Sequence, residues 1–361
     1  MVTISLCMIV RNEEAVLERC LHSVCNAVDE IILVDTGSED RTKEIARSYT
    51  DRIYDFAWSD DFAAARNFSF SKATMDYCMW MDADDVLLEA DTKALLELKE
   101  TLDPSVQVVM LPYHIAFDAQ GKPTFSYYRE RLIRNGQGMR WEGAVHEVIT
   151  PVQPIAYGKA AVTHQKIGPG DPDRNLRIYE KQLALGKILS PREQFYYGRE
   201  LYAHGKFQEA AEIFQNFLDG GRGWIENSID ACRQLAYCQY ALGNEKDALR
   251  SLLRSLELDA PRAEVCCDIG KHFLDRGQYQ QAIFWYETAA GRTRDDQSGA
   301  FVQPDCYDYI PYLQLCVCYD RLGAHSEAMV CHELAKKLKP EHPSVQYNEA
   351  YFQALREHPG Q

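Results

Sequence analysis

Several familiar signals are missing from this sequence, and each absence removes a class of protein. The twelve cysteines, at positions 7, 20, 25, 78, 232, 238, 266, 267, 306, 316, 318 and 331, include no CxxC pair and no zinc-ligand spacing. A disulfide scaffold or structural zinc is therefore not indicated, and thiols set in apolar or helical patterns behave as small hydrophobes. No window approaches ~18 uninterrupted apolar residues, so no bilayer span is expected. The opening run Thr3–Val10 is too short for a signal-peptide core and stops at Arg11. Neither a Gly-x-x-x-x-Gly-Lys-Ser/Thr loop nor a Gly-x-Ser-x-Gly elbow occurs, which removes P-loop phosphoryl transfer and serine hydrolysis. Positive charge is scarce too. With 39 basic and 54 acidic residues the net charge is −15, and no basic stripe is evident, so nucleic acid is not an expected partner. These features together read as a reduced, cytoplasmic protein.

What is present divides in two. The 361 residues are 46% hydrophobic and 26% charged, globular in composition and long enough for two domains. The first half alternates apolar runs with amphipathic stretches. Strands are predicted at Ile4–Val10, Glu30–Val34, Arg52–Phe56 and Tyr77–Met81. Helices are predicted at Glu13–Val24, at Glu39–Ser48 after a Ser38 cap, and at Phe62–Ser71. Such alternation predicts an α/β domain with a mostly parallel sheet covered on both faces, whose ligands gather at the carboxyl ends of the strands. From about Pro191 only helices are predicted. Gly205, Gly243, Gly277 and Gly323 are each followed five residues later by alanine (Ala210, Ala248, Ala282, Ala328), and Gly198 and Gly270 precede two of them by seven. A period of about 34–46 residues is that of tetratricopeptide-like repeats, with Gly291–Asp305 as an inserted loop. The expected domains are 1–190 and 191–361.

Four motifs follow the predicted strand ends: Arg11-Asn12-Glu13-Glu14, Asp35-Thr36-Gly37-Ser38-Glu39-Asp40-Arg41-Thr42, Ala63-Ala64-Ala65-Arg66-Asn67 and Asp82-Ala83-Asp84-Asp85. Carboxylates two apart at a strand end can converge on a hard divalent cation, Mg2+ or Mn2+. Acids gathered without a counter-ion would raise one another's pKa, so a metal or an exposed turn must resolve the cluster. The small residues before Arg66 would let a ligand approach. Asp35 could instead serve as a helix N-terminal charge, and Arg66 as a helix-surface cation.

Taken in order, CMIVRNEE, VDTGSEDRT, AAARN and MDADD make residues 3–165 resemble a family 2 glycosyltransferase of the GT-A fold. The resemblance implies a Rossmann-like α/β domain that transfers a sugar, with inversion, from a nucleotide diphosphate sugar. It implies that Asp35 recognises the base, most often uracil, that Glu13 lies near the nucleoside and that Arg66 supports the nucleotide. By the same resemblance Asp82 approaches the ribose or metal, and Asp84 binds a Mn2+ or Mg2+ ion bridging the diphosphate.

An inverting transfer also needs a base. Trp141-Glu142-Gly143-Ala144-Val145-His146-Glu147 resembles the G-x-x-H-E segment of peptide- and lipopolysaccharide-modifying members. Glu147 is the leading base and Glu142 the reserve, with His146 ordering the acceptor or touching the diphosphate. His164 resembles a late histidine that completes the metal shell; either histidine could equally be a satisfied, partly buried imidazole. Gln137–Trp141 spells the Q-x-x-R-W of processive synthases but lies close behind the acidic cluster in a chain with no expected membrane span. Arg131 and Arg134 would frame the acceptor side or a solvated strand edge. Enzymes of this family fused to such repeats resemble bacterial peptide and protein glycosyltransferases, which implies a polypeptide acceptor gripped by the repeats. The repeats could also pair two copies of the chain. The alternatives are a lipopolysaccharide or capsule glycan acceptor, and a repeat scaffold with a vestigial transferase. A nucleotidyltransferase would instead carry a glycine-rich loop after the first strand.

Overall fold

The computed structural model describes residues 1–117, 121, 123–168 and 170–357. The chain divides into two compact units, Met1–Leu189 and a second beginning at Ser190, and each is described by itself.

The first unit runs β1 (Ile4–Val10), α1 (Leu17–Val24), β2 (Glu30–Asp35), α2 (Thr42–Arg47), β3 (Ile53–Asp55), α3 (Phe62–Phe70), β4 (Tyr77–Trp80), β5 (Asp85–Val86) and α4 (Glu89–Thr101). It continues with β6 (Val108–Phe117), β7 (Pro123–Arg134), β8 (Ile155–Tyr157), β9 (Val162–His164) and α5 (Arg174–Ala184). Strands β3-β2-β1-β4 are parallel neighbours in that order. Beyond β4 the sheet turns mixed: β7 pairs antiparallel with β4 and β6, while β8 and β9 lie parallel to β6 and β5 antiparallel to β9. Leu6, Met8, Leu33 and Met79 from the sheet pack with Leu17 and Leu21 of α1, all fully buried.

Two helices start later than the apolar spacing predicts, for one reason. The amides of Glu13 and Glu14 bond sideways to Thr42 and Asp40 rather than along a helix, so α1 begins only at Leu17. Ser38 caps nothing. Its hydroxyl accepts from the Asn12 amide, and Asp40 accepts from the amide of Thr42, where α2 starts.

The second unit is built of helical hairpins: α6 (Pro191–Ala203) with α7 (Phe207–Gly220), α8 (Ile225–Ala241) with α9 (Glu245–Arg254), α10 (Ala263–Leu274) with α11 (Tyr279–Ala290), α12 (Tyr309–Arg321) with α13 (His325–Leu338), then α14 (Pro343–Glu357). Gly205, Gly243, Gly277 and Gly323 occupy the four hairpin turns with φ between 67° and 77°, a left-handed conformation that side chains resist. The alanines five residues on are fully buried. Seven residues before each turn glycine stands a small residue (Gly198, Ala236, Gly270, Cys316), and nine after it a buried larger one (Phe214, Leu252, Tyr286, His332). The fit is tight: a Cβ on Gly198 would lie 2.8 Å from Phe214, and one on Gly270 2.9 Å from Tyr286. The repeat period is therefore a packing rule, small against large. All twelve cysteines are free thiols, eleven of them buried. Among the described residues no helix is long and apolar enough to cross a membrane.

Candidate active site

Val10 and Asp35 are register partners, so β1 and β2 end level and their two motifs meet. The motifs interlock through side chain–backbone hydrogen bonds. The Asn12 amide donates to Ser38 Oγ (2.9 Å), the Glu39 amide to Asn12 Oδ1 (2.8 Å) and the Glu13 amide to Thr42 Oγ1 (2.7 Å). Asn12 has φ 54°, a left-handed conformation that asparagine tolerates better than most residues. Asp35 is 1% exposed. Its carboxylate accepts from the amides of Gly37 (3.2 Å) and Ser38 (3.1 Å) and faces the Lys43 ammonium at 3.4 Å. Much of the polarity in these motifs thus holds the loops themselves. Glu13 is the acid they leave facing the cleft. Burial, reinforced by Asp84, Asp82 and Asp40 and opposed by Arg174, pushes its carboxyl up to about 7.

In α3 the small residues serve packing. Ala63 is buried against Trp80, Ile133, Trp141 and Ile149, and Ala65 is fully buried, so the alanines admit the sheet rather than a ligand. Asn67 makes a reciprocal pair with the Trp141 backbone, 2.9 Å each way. The tryptophan of the Gln137–Trp141 stretch is accordingly a core residue, whereas Gln137 and Arg140 are exposed. Between these elements Arg66 is buried over the rings of Trp80 and Trp141, its Cζ 4.8 and 5.1 Å from their centroids. Its Nη2 donates to Asp82 Oδ1 (2.7 Å) and its Nε to Glu147 Oε1 (2.6 Å). Nη1 is buried without a hydrogen-bond partner among the described residues. Burial raises the pKa of Asp82, but Arg66, aided by Arg131 and Arg129, outweighs it and holds the carboxyl below the usual carboxylate range.

The remaining acids divide by direction. Asp84 and His164 both line the cleft, with His164 Nδ1 3.5 Å from Asp84 Oδ1. Burial, with Asp82 and Asp85 nearby, pushes the Asp84 carboxyl up against the opposing effect of His164. Asp85 turns inward and is fully buried. It accepts from Tyr113 Oη (2.8 Å), the Asp82 amide (3.2 Å) and Arg131 Nη1 (3.3 Å). Tyr113 Oη and Asp85 Oδ1 also stand 3.1 and 3.3 Å from His164 Nδ1. Arg131 is fully buried beneath Trp80, 3.7 Å from its centroid. It is the counter-ion of Asp85, which overturns its expected place on the acceptor side or on a solvated edge. A carboxylate and an imidazole converging from a strand end form a donor set that Mn2+ accepts readily and Mg2+ less so. Asp84 and His164 therefore offer a divalent ion two donors that open onto the cleft, while Asp85, the third acid within their reach, is already neutralised by Arg131 and fits one poorly.

These groups share one cleft of 1280 Å³ within the first unit. Arg129 lines it too, its Cζ 4.8 Å from the Trp80 ring centroid. His146 and Glu147 stand on its wall, His146 at φ 52°. Glu142 is exposed and does not line the cleft, and its backbone bridges to Val148. The sequence reading missed Tyr113, the inward turn of Asp85 and the face of α5. Arg174, Arg177 and Lys181 of that helix line the cleft, Arg174 stacked on Phe62 at 4.7 Å, Arg177 paired with Asp171 and Lys181 with Asp60. A 3.6-period set of cations just after the last strand was the available signal.

Residues 5–153 match the family model for glycosyl transferase family 2. A TPR repeat-containing protein of Synechococcus elongatus is 39% identical over 150 residues, 41% of this chain and 36% of that protein. The SPbeta prophage-derived glycosyltransferase SunS of Bacillus subtilis is 27% identical over 287 residues, 74% of this chain and 65% of that protein. The lipopolysaccharide core biosynthesis glycosyltransferase LpsC of Rhizobium meliloti is 32% identical over 148 residues, 39% of this chain and 54% of that protein. The chain thus spans between about a third and two thirds of these relatives. Residues 5–153 are a family 2 glycosyltransferase domain with the interlocked strand-end motifs of a GT-A-like sheet, and the chain continues into tetratricopeptide-like hairpins.

Proposed function

We propose that this chain transfers a sugar, with inversion, from a nucleotide diphosphate sugar (a UDP-sugar in the first instance) to a polypeptide acceptor. One observation carries the reading: buried Arg66 is clamped between Asp82 and Glu147 with Nη1 unspent, in the same cleft as Asp84 and His164. The base end of the donor is assigned to the β1–β2 corner, where Glu13 and Thr36 line the cleft, whereas Asp35, expected to read the base, is buried on the Gly37 and Ser38 amides and does not line it. Asp84 and His164 are the residues that would hold Mn2+ or Mg2+, which when bound neutralises charge gathering on a departing diphosphate. Arg66, which lines the cleft with its guanidinium fixed by Asp82 and Glu147, supplies a preorganised positive charge toward that group as the bond breaks.

Glu147 is the base. Arg66 uses its Oε1, and Oε2 takes the proton from the acceptor hydroxyl or thiol as the new bond to the anomeric carbon forms. The old bond's electron pair leaves with the diphosphate. His146, beside it on the wall, orders the acceptor. Glu142, outside the cleft, stays the reserve. The polypeptide acceptor rests on the repeats, whose stacked hairpins offer a long surface suited to an extended chain. A glycan acceptor is the second reading, favoured by the likeness to LpsC, which is named for lipopolysaccharide core biosynthesis.

The test is a hydrolysis screen of UDP- and GDP-sugars with Mn2+ or Mg2+, alongside calorimetry with UDP. Metal-dependent nucleotide binding and turnover are expected. A chain that binds no nucleotide under any of these conditions is a scaffold, and the proposal falls. Glu147→Gln should keep UDP binding while slowing transfer by ~10²–10⁴-fold, and unchanged turnover would move the base elsewhere.

A further inference from the structure

Successive hairpins of the second unit are joined by links of four and eight residues, 221–224 and 255–262, except between α11 and α12, where the longer stretch 291–308 intervenes. This segment lies back along the first helices of the preceding hairpins. Phe301 sits against α6, with Arg199 Cζ 4.4 Å from its ring centroid. Gly299, at φ 77°, lies under Trp224 at the start of α8, and a Cβ there would come within 2.9 Å of the indole. The Gln303 amide donates to Glu264 Oε1 of α10 (2.7 Å). The segment is braced within itself, the Gln297 amide and the Ser298 hydroxyl both donating to Asp295. Between it and the helices remains a cavity of 430 Å³, lined by Glu226, Asp230, Arg233, Arg262 and Arg292 among others.

Three consecutive first helices thus present one seat with three subsites. A guanidinium takes an aromatic face, an indole admits only glycine beneath it, and a carboxylate takes a backbone N–H. We infer that this face of the repeats is the docking surface for an extended polypeptide bearing glycine two residues before an aromatic, and that the chain's own 299–303 segment occupies it as an internal competitor. The inference rests on the polypeptide-acceptor reading for its biological purpose, but not for its chemistry. An incoming chain must displace the segment, so its apparent affinity falls by the fraction of molecules in which the seat is open.

The test uses full-length protein and a synthetic heptapeptide with the sequence of residues 297–303, measured by calorimetry. Phe301→Ala and, separately, Gly299→Ala loosen the resident segment without touching the seat. Each should bind the heptapeptide at least ~tenfold more tightly than the unaltered chain, and a heptapeptide with alanine for phenylalanine should lose that gain. Equal affinity for all three proteins, or binding indifferent to the peptide's phenylalanine, overturns the inference. Nucleotide binding, measured in the same samples, keeps the two readings apart. If the variants capture the peptide but no polypeptide is ever glycosylated, the seat stands and the acceptor reading falls. If polypeptides are glycosylated while neither variant gains affinity, the seat falls alone.

Discussion

Among the described residues two clusters offer a histidine and two carboxylates within metal-binding reach of one another, and they differ in what else touches them. In the first unit Asp84, Asp85 and His164 converge. Asp85 is consumed by Arg131 and Tyr113, while Asp84 and His164 open onto the cleft with 24% and 28% of their side chains exposed. In the second unit His332, Glu333 and Glu349 converge as closely. There His332 Nε2 and Lys336 Nζ each stand 2.8 Å from Glu349 Oε2, and these bonds pull its carboxyl down to about 2. Its charge is already matched, and His332 occupies the position filled by Phe214, Leu252 and Tyr286 in the other hairpins. Ligand types alone do not distinguish the two clusters. The neighbours do: an ammonium fills one, and an unequal division of labour among three aspartates leaves the other open.

The largest expected effect breaks that contrast at its open end. Asp84→Asn should lower turnover by at least ~10²-fold, because removing a direct ligand costs more than the ~10–100-fold typical of its supports. His332→Gln should leave both Mn2+ affinity and turnover unchanged. Manganese titration and steady-state rates on the two variants check this, and a matching loss in His332→Gln would erase the distinction.

Tyr113→Phe sharpens the same comparison more gently. The phenol steadies Asp85 and meets His164 Nδ1, so its removal frees the imidazole to turn without taking away any direct donor. Mn2+ affinity should fall by ~10–100-fold with UDP binding in the absence of metal unchanged. Asp85→Asn is the harsher version, since it leaves Arg131 buried without its charge partner, and it should cost about 3–5 kcal/mol of stability in urea unfolding.

How much of this was legible in the letters depends on the range of the interaction. Period and local chemistry carried β1, β2 and β4, the order of the four motifs, and the hairpin glycines with their alanines, because those signals lie within a few residues of one another. Readings failed where a distant partner decides. Ser38 could have capped a helix had Asn12, 26 positions away, not claimed its hydroxyl. Ala63 looked like room for a ligand until Trp80 and Trp141 filled it. Asp85 is indistinguishable from Asp84 by position alone. Only the antiparallel return of β7, which puts Arg131 beneath it, turns one inward and leaves the other at the surface of the cleft.

The smallest expected effect concerns Glu13, the acid that faces the open cluster without belonging to it. Burial and the nearby Asp84 and Asp82 raise its carboxyl from an ordinary 4.5 to about 7. Between those values the folded chain holds a proton that the unfolded chain has released, so stability from this group is fully present below pH 4.5 and is lost as pH climbs through 7. Glu13→Gln, which never ionises, should escape that loss. In metal-free urea unfolding its stability relative to the unaltered chain should rise between pH 5 and pH 8, by about 1–2 kcal/mol once solvent screening of a half-exposed side chain is allowed for. The equivalent change at the closed cluster, Glu349→Gln, should run the other way. That carboxyl is depressed to about 2, so its contribution is present above pH 4.5 and disappears only in acid. A rise between pH 5 and pH 8 for Glu13→Gln, with a change of opposite sign confined below pH 4.5 for Glu349→Gln, would show that the charge at one cluster is met from within the fold while the other waits for a cation. Changes of the same sign in the same pH window would show that the two clusters are alike after all.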